Sequence, residues 1–262
     1  MKGKLLVLLF LFFLSCSKVP ITGRKQLNML PESTLMAMSL TNYNTFLIEN
    51  KVASNGSSDA QTVKNVGTKI ARAVEEFLST TGQSKRIKNY KWEFNLVNEN
   101  TINAWCMPGG KVVVYSGLLP VSKTETGLAV VMGHEIAHAI ARHGNERMSQ
   151  QLLVQAGGIG LSVSMSEKPQ LTQDLFMLSY GVSSTLGVLG YSRKHESEAD
   201  QMGMVFMAMA GYNPEEAIPF WERMAASGGG KPPELISTHP SNERRISDIQ
   251  EFLPLAMTYY KK

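Results

Sequence analysis

The sequence is poor in cysteine: 262 residues contain two, Cys16 and Cys106, too few for a disulfide framework. Charge of one sign is scarce too. Lys and Arg exceed Asp and Glu by four, and Lys2 and Lys4 fall in a leader segment, so the basic surplus that nucleic-acid binding needs is missing. Runs long enough to span a membrane are absent. Leu5 to Leu14 would reach about 15 Å as a helix, half the hydrocarbon thickness of a bilayer, and Leu152 to Met165 is also too short. What remains is an ordinary globular balance, 43% apolar and 18% charged, which excludes a disordered, collagenous or coiled-coil chain.

Lys2 and Lys4 followed by Leu5 to Leu14 read as a signal peptide over 1–15. Leu14-Ser15-Cys16 resembles a bacterial lipobox, with Phe13 where an aliphatic residue is usual. That resemblance implies an acylated Cys16 and a lipid-anchored protein. Ser17 after Cys16 resembles sorting to the outer membrane, so the expected place is its periplasmic side. Residues 16–30, with Pro20 and Gly23, read as a tether, and 31–262 as one domain. Cys106 then has no partner and is expected to be a small buried hydrophobe.

Along the domain the periodicity is mostly helical. Residues 31–50 form one helix. A second starts near Asp59, carries Val63, Val66, Ile70, Val74 and Phe77 on one face, and stops at Gly82. Residues 91–97 alternate as a strand, and Lys111 to Tyr115 follow the turn Pro108-Gly109-Gly110 as its neighbour. Ser122 and Glu125 form a capping box for a helix running to about Arg147. Two packed helices are expected over 150–165 and 171–190, then one from Arg193 to Gly211. Asn213-Pro214 starts the next, a loop covers 227–233, and a last helix, capped by Ser241, ends at Pro254. The fold class is α+β, mainly helical, with a small antiparallel sheet.

The chemistry lies in His134-Glu135-Ile136-Ala137-His138. At about 100° per residue, the two histidines stand one turn apart on one helix face and reach a common ion. Glu135, too near His134 to complete the metal shell, reaches a water instead. His143 lies about half a turn round and faces away if the helix continues. Ala141 and Gly144 stand where the long metzincin motif has Gly and a third His, so that pattern fails. Glu196 and Asp200 share a face on another helix, whereas Glu198 points about 200° away. Glu196 would complete a His₂Glu site with an open fourth position, and Asp200 would accept the free N–H of a ligand histidine.

The HEXXH run with the residues after it, together with Glu196-x-x-x-Asp200, resembles the HtpX/LoiP/BepA-type gluzincin metalloendopeptidases, relatives of the CAAX prenyl protease. Two further blocks resemble that family: Asn103-Ala104…Pro108-Gly109-Gly110…Gly117-Leu118-Leu119, and Ser237-Thr238-His239-Pro240 with Arg245-Ile246. The lipobox suggests the periplasmic lipoprotein branch, without tetratricopeptide repeats. The resemblance implies a zincin-like domain with the HEXXH motif on its active-site helix. It also implies one Zn²⁺ per chain held by His134, His138 and Glu196, with Glu135 as the base. His239 or Arg245 would neutralise the developing oxyanion, or His239 would occupy the fourth position as a self-inhibiting ligand. Val112, Val113 and Val114 would form an edge strand for an extended substrate, with Asn103 bonding its backbone. The implied substrates are unfolded or misassembled envelope proteins. The rival reading is a non-catalytic metal-binding lipoprotein, a scaffold or holdase for outer-membrane proteins.

Overall fold

The computed structural model describes residues 16–156, 169–180, 192–227, 233–239 and 244–261. The leader 1–15, segments 157–168 and 181–191, most of the loop after Ser227, and Ser241 lie outside the described residues. Strands β1 (Cys16–Lys18) and β2 (Lys25–Leu27) precede helices α1 (Glu32–Glu49) and α2 (Ser58–Thr80). A sheet follows, of β3 (Glu93–Val97), β4 (Ala104–Met107) and β5 (Lys111–Tyr115). The remaining helices are α3 (Leu119–Ser122), α4 (Glu125–Ala141), α5 (His143–Ala156), α6 (Pro169–Ser179), α7 (Arg193–Met209), α8 (Ala217–Ala226), α9 (Glu234–Thr238) and α10 (Arg245–Met257). Helix dominates, as expected. Among the described residues no helix is long and apolar enough to cross a membrane.

Helix α2 buries Val63, Val66, Ile70, Val74 and Phe77, the stripe its spacing predicts. Its cap is Ser57, whose hydroxyl accepts from Ala60 N–H, so Asp59 sits in the first turn. Helix α10 continues through Pro254 to Met257 instead of stopping there. Gly211, at φ +85°, ends the turn after α7 in a conformation other residues reach only at a cost.

The small sheet expected beside the helices is present, with Lys111–Tyr115 beside 93–97, and it corrects one expectation. β4 pairs antiparallel with β5, and β3 pairs parallel with it. The strand order is β3-β5-β4, so Lys111–Tyr115 is central and not an edge. Val112, Val113 and Val114 are fully buried, their backbones committed on both sides, and no substrate strand can be added there. The run K-V-V-V-Y has an ordinary cause: a strand covered on both faces needs no polar alternation. Val112 and Val114 face the core of α2, α4, α7 and α8, whereas Val113 and Tyr115 face a second core with Tyr43, Trp105, Met148 and Phe176.

Residues 16–30 differ from a tether as well. Cys16 pairs with Leu27 and Lys18 with Lys25 in an antiparallel hairpin. Val19 and Leu30 are buried in the cores. Met29 N–H donates to Ser149 Oγ at 3.0 Å, and Asn145 Nδ2 donates to the Leu30 carbonyl at 2.9 Å, fastening the segment to α5.

Helix α4 is the axis of the domain, buried from Gly127 to Ala141. It crosses α7 at two glycines without side chains to separate them. A Cβ on Gly133 would lie 2.9 Å from Gly203 O, and one on Gly203 would lie 2.8 Å from His134 N. The expected result for Gly203→Ala is a loss of about 1–3 kcal/mol by overpacking, measured by denaturant unfolding.

Candidate active site

The ends of α4 differ from the sequence expectation, and one difference shapes the site. Thr124, not Ser122, caps the helix, accepting from Gly127 N–H at 3.0 Å. At the other end Arg142 takes a left-handed conformation (φ 62°, ψ 34°), and α5 starts afresh at His143. His143 therefore does not face away. Its Nδ1 lies 3.0 Å from His138 Nδ1.

His134 and His138 from α4 meet Glu196 from α7 and His239 from the end of α9. Their ligand atoms all lie within 4.8 Å of one another, and each residue is buried. His134 Nε2 is 3.1 Å from His138 Nε2 and 3.3 Å from His239 Nδ1. Glu196 Oε1 is 3.2 Å from His239 Nδ1 and 3.5 Å from His138 Nε2, and Oε2 is 3.4 Å from His134 Nε2. A tetrahedral zinc with bonds of about 2.0–2.1 Å requires ligand atoms about 3.3 Å apart. Three imidazoles and a carboxylate at that spacing fit the ion. Glu196 Oε2 is buried with no hydrogen-bond partner, which suits an acceptor reserved for a cation.

Asp200 sits one turn beyond Glu196, and its Oδ1 lies 2.8 Å from His134 Nδ1. Burial opposes a charge on His134, yet Asp200 and Glu196 together raise its pKa to about 9. A ligand imidazole is neutral at the bonding nitrogen, so metal uptake releases that proton. Glu196 is held well below the usual carboxylate range: burial opposes its charge, but His239 and His134 outweigh it. Glu135 behaves oppositely, its pKa raised by burial. Its Oε1 is 3.6 Å from His239 Nε2 and has no hydrogen-bond partner.

Arg245 reaches the cluster from the side of Asp200, its Nη2 3.4 Å from His134 Nδ1 and 3.8 Å from Glu196 Oε2. Nε and Nη2 grip Asp200 at 2.9 and 2.7 Å, and the guanidinium carbon lies 3.3 Å from the Trp221 ring centroid. It holds Asp200, which holds His134. Asn103 is buried, and its amide oxygen accepts from Ala104 N–H at 2.9 Å, so that oxygen is used within the chain. Cys106 is the expected buried hydrophobe, its thiol pKa raised by burial.

Residues 65–253 match the family described as Peptidase family M48. The chain belongs to that family. This M48 chain is 38% identical over 189 residues to the mitochondrial metalloendopeptidase OMA1 of Schizosaccharomyces pombe, covering 71% of this chain and 53% of that protein. It is 32% identical over 212 residues to the OMA1 protein of Saccharomyces cerevisiae, covering 76% and 57%. The beta-barrel assembly-enhancing protease of Escherichia coli matches at 32% over 166 residues, covering 61% and 34%. The chain spans about half the length of the first two relatives. The expectation of a metallopeptidase domain holds, whereas the narrower HtpX/LoiP/BepA lipoprotein branch gives way to the broader M48 family. The expected location, lipid-anchored at Cys16 on the periplasmic side of a bacterial outer membrane, is corrected by the same finding, since OMA1 relatives are mitochondrial proteins.

Sequence reasoning missed a layer behind His138. Glu146 and Glu198, both buried, flank His143 and His195 and share Arg24. Burial opposes their charge, but Arg24 with His195 at Glu146, and His143 with Arg24 at Glu198, lower both pKa values to about 2. A carboxylate depressed on folding stabilises the fold above its unfolded value of 4.5, and that stability is lost as pH falls towards 2. Each should cost on the order of 2 kcal/mol by pH 3. Thermal melts between pH 6 and 3 should show this drop, and Glu146→Gln should flatten it.

Proposed function

We propose that this chain is a zinc-dependent endopeptidase acting on unfolded polypeptide. The observation that carries the reading is the buried four-residue donor cluster, its ligand atoms within 4.8 Å of one another, with the Glu135 carboxylate beside it, its Oε1 without a hydrogen bond and 3.6 Å from His239 Nε2. A scaffold or holdase has no use for such a carboxylate, since burying a charge costs stability.

His134, His138 and Glu196 would hold the ion. Zinc bound there would supply Lewis acidity for acidifying a water and polarising the scissile carbonyl. Glu135 takes the proton of the attacking water on its carboxylate and passes it to the departing amide nitrogen, a role its raised pKa suits. Asp200, gripped by Arg245, keeps His134 oriented and its Nδ1 protonated.

An extended substrate pairs along the outer edge of β4, which is bonded to β5 on one side only among the described residues. The start of that edge is taken: Leu235 N–H donates to the Ile102 carbonyl at 3.3 Å. The same short helix delivers His239 to the cluster and buries Glu135, so the conformation described is a closed one. Of the two roles open to His239, the inhibitory one accounts for this geometry, because a fourth protein donor would take the position that water needs.

Cleavage of casein by the purified chain, stopped by a chelator and restored by zinc, is the expected result. Intact casein after prolonged incubation with a zinc-loaded chain would overturn the reading.

A further inference from the structure

The contacts behind His138 lead, in two steps, to a residue outside the family-matched range. His143 stands 3.0 Å from His138, nitrogen to nitrogen, and its Nε2 is 3.1 Å from Glu198 Oε2. Glu198 Oε1 accepts from Arg24 Nε at 2.7 Å and from Thr22 Oγ1 at 3.0 Å. The two terminal nitrogens of Arg24 donate to the two oxygens of Glu146 at 2.8 and 2.7 Å. Glu146 in turn pairs with His195 at 3.1 Å, and the His195 ring stacks on His143 at 4.5 Å.

One proton assignment gives each of these contacts a donor and an acceptor. His138 Nδ1–H donates to His143 Nδ1, and His143 Nε2–H donates to the Glu198 carboxylate. The reverse assignment would aim a bare imidazole nitrogen at a carboxylate. It would also leave His138 with Nε2–H facing the metal cluster. The chain from His138 to Arg24 therefore parallels the chain from His134 through Asp200 to Arg245. Each histidine of the HEXXH helix is oriented by a carboxylate that an arginine clamps, directly on one side and through a second imidazole on the other.

We propose that Arg24 is a positioning residue for the metal centre, acting through Glu198 and His143 to hold the Nδ1–H tautomer and ring plane of His138. The inference rests on the metallopeptidase reading. It makes the N-terminal hairpin part of the working enzyme, docked on α5 so that its turn carries Arg24 to the back of the site. Lysine cannot replace it, because a single ammonium does not reproduce a planar fork bridging two carboxylates.

The test uses Arg24→Lys, Glu198→Gln and the double variant, each first shown by a cooperative melt to fold without metal. Apparent zinc affinity is measured by chelator competition, and ligand geometry by the visible spectrum of the cobalt-loaded chain. Each single variant is expected to lose about 10–100-fold in zinc affinity and to shift the cobalt band. The double variant should lose no more than the worse single one, since both act through His143. Thr22→Val keeps the Arg24–Glu146 pair and carries the same readouts should Arg24→Lys not fold. Affinities within about two-fold of the unsubstituted chain with an unchanged cobalt band, or additive losses, would overturn the proposal. A parent chain that binds no zinc would instead overturn the metallopeptidase reading.

Discussion

Glu135→Gln should retain one zinc per chain and lose about 10²–10⁴-fold in kcat on casein. Glutamine is nearly the same shape, so the packing of α4 around it is undisturbed, and Glu135 is not among the four clustered donors. What it loses is basicity. The carboxylate is buried and its pKa raised by that burial, which strengthens it as a proton acceptor. Metal analysis alongside single-turnover cleavage separates the two effects. Retained zinc with unimpaired turnover would remove Glu135 from the mechanism, and loss of zinc would make it a ligand.

His239→Ala should raise turnover while weakening zinc binding. The imidazole lies 3.2 to 3.6 Å from His134, Glu135 and Glu196 and is buried with them, so in the proposed mechanism it would fill the place that water and substrate need. If the open state is a minor species of roughly 1–10%, emptying that place lifts the apparent rate by about 10–100-fold. Loss of one donor lowers metal affinity in the same variant, so assays need excess zinc. A fall in kcat at saturating zinc would assign His239 to the transition state, and an unchanged kcat would remove it from both roles.

Much of the site was legible because its spacing is short-range. The i, i+4 pairs His134/His138 and Glu196/Asp200 each place two side chains on one face wherever the helix goes, and both pairs sit as the spacing predicts. His143 was misread because the helix break has no glycine or proline at its turning residue; Arg142 adopts φ 62° where its neighbours permit it. The adjacent Gly144-Asn145, both poor helix formers, was the signal available. Val112 to Val114 were misread for a different reason. A β-rich run does not say whether one or both of its edges are paired, and strand order is a long-range property.

From the sequence alone come most of the helices, the HEXXH motif and the carboxylate pair on a second helix. These follow from local periodicity and residue chemistry, which need no knowledge of distant neighbours. Only the tertiary structure decided that Gly133 and Gly203 let two helices touch, that His239 closes the donor cluster, and that Arg245 clamps Asp200. It alone placed Arg24 behind His138. Those contacts join positions from 43 to 174 residues apart, set by how buried charges find partners once the apolar faces have packed, and no local pattern encodes that pairing.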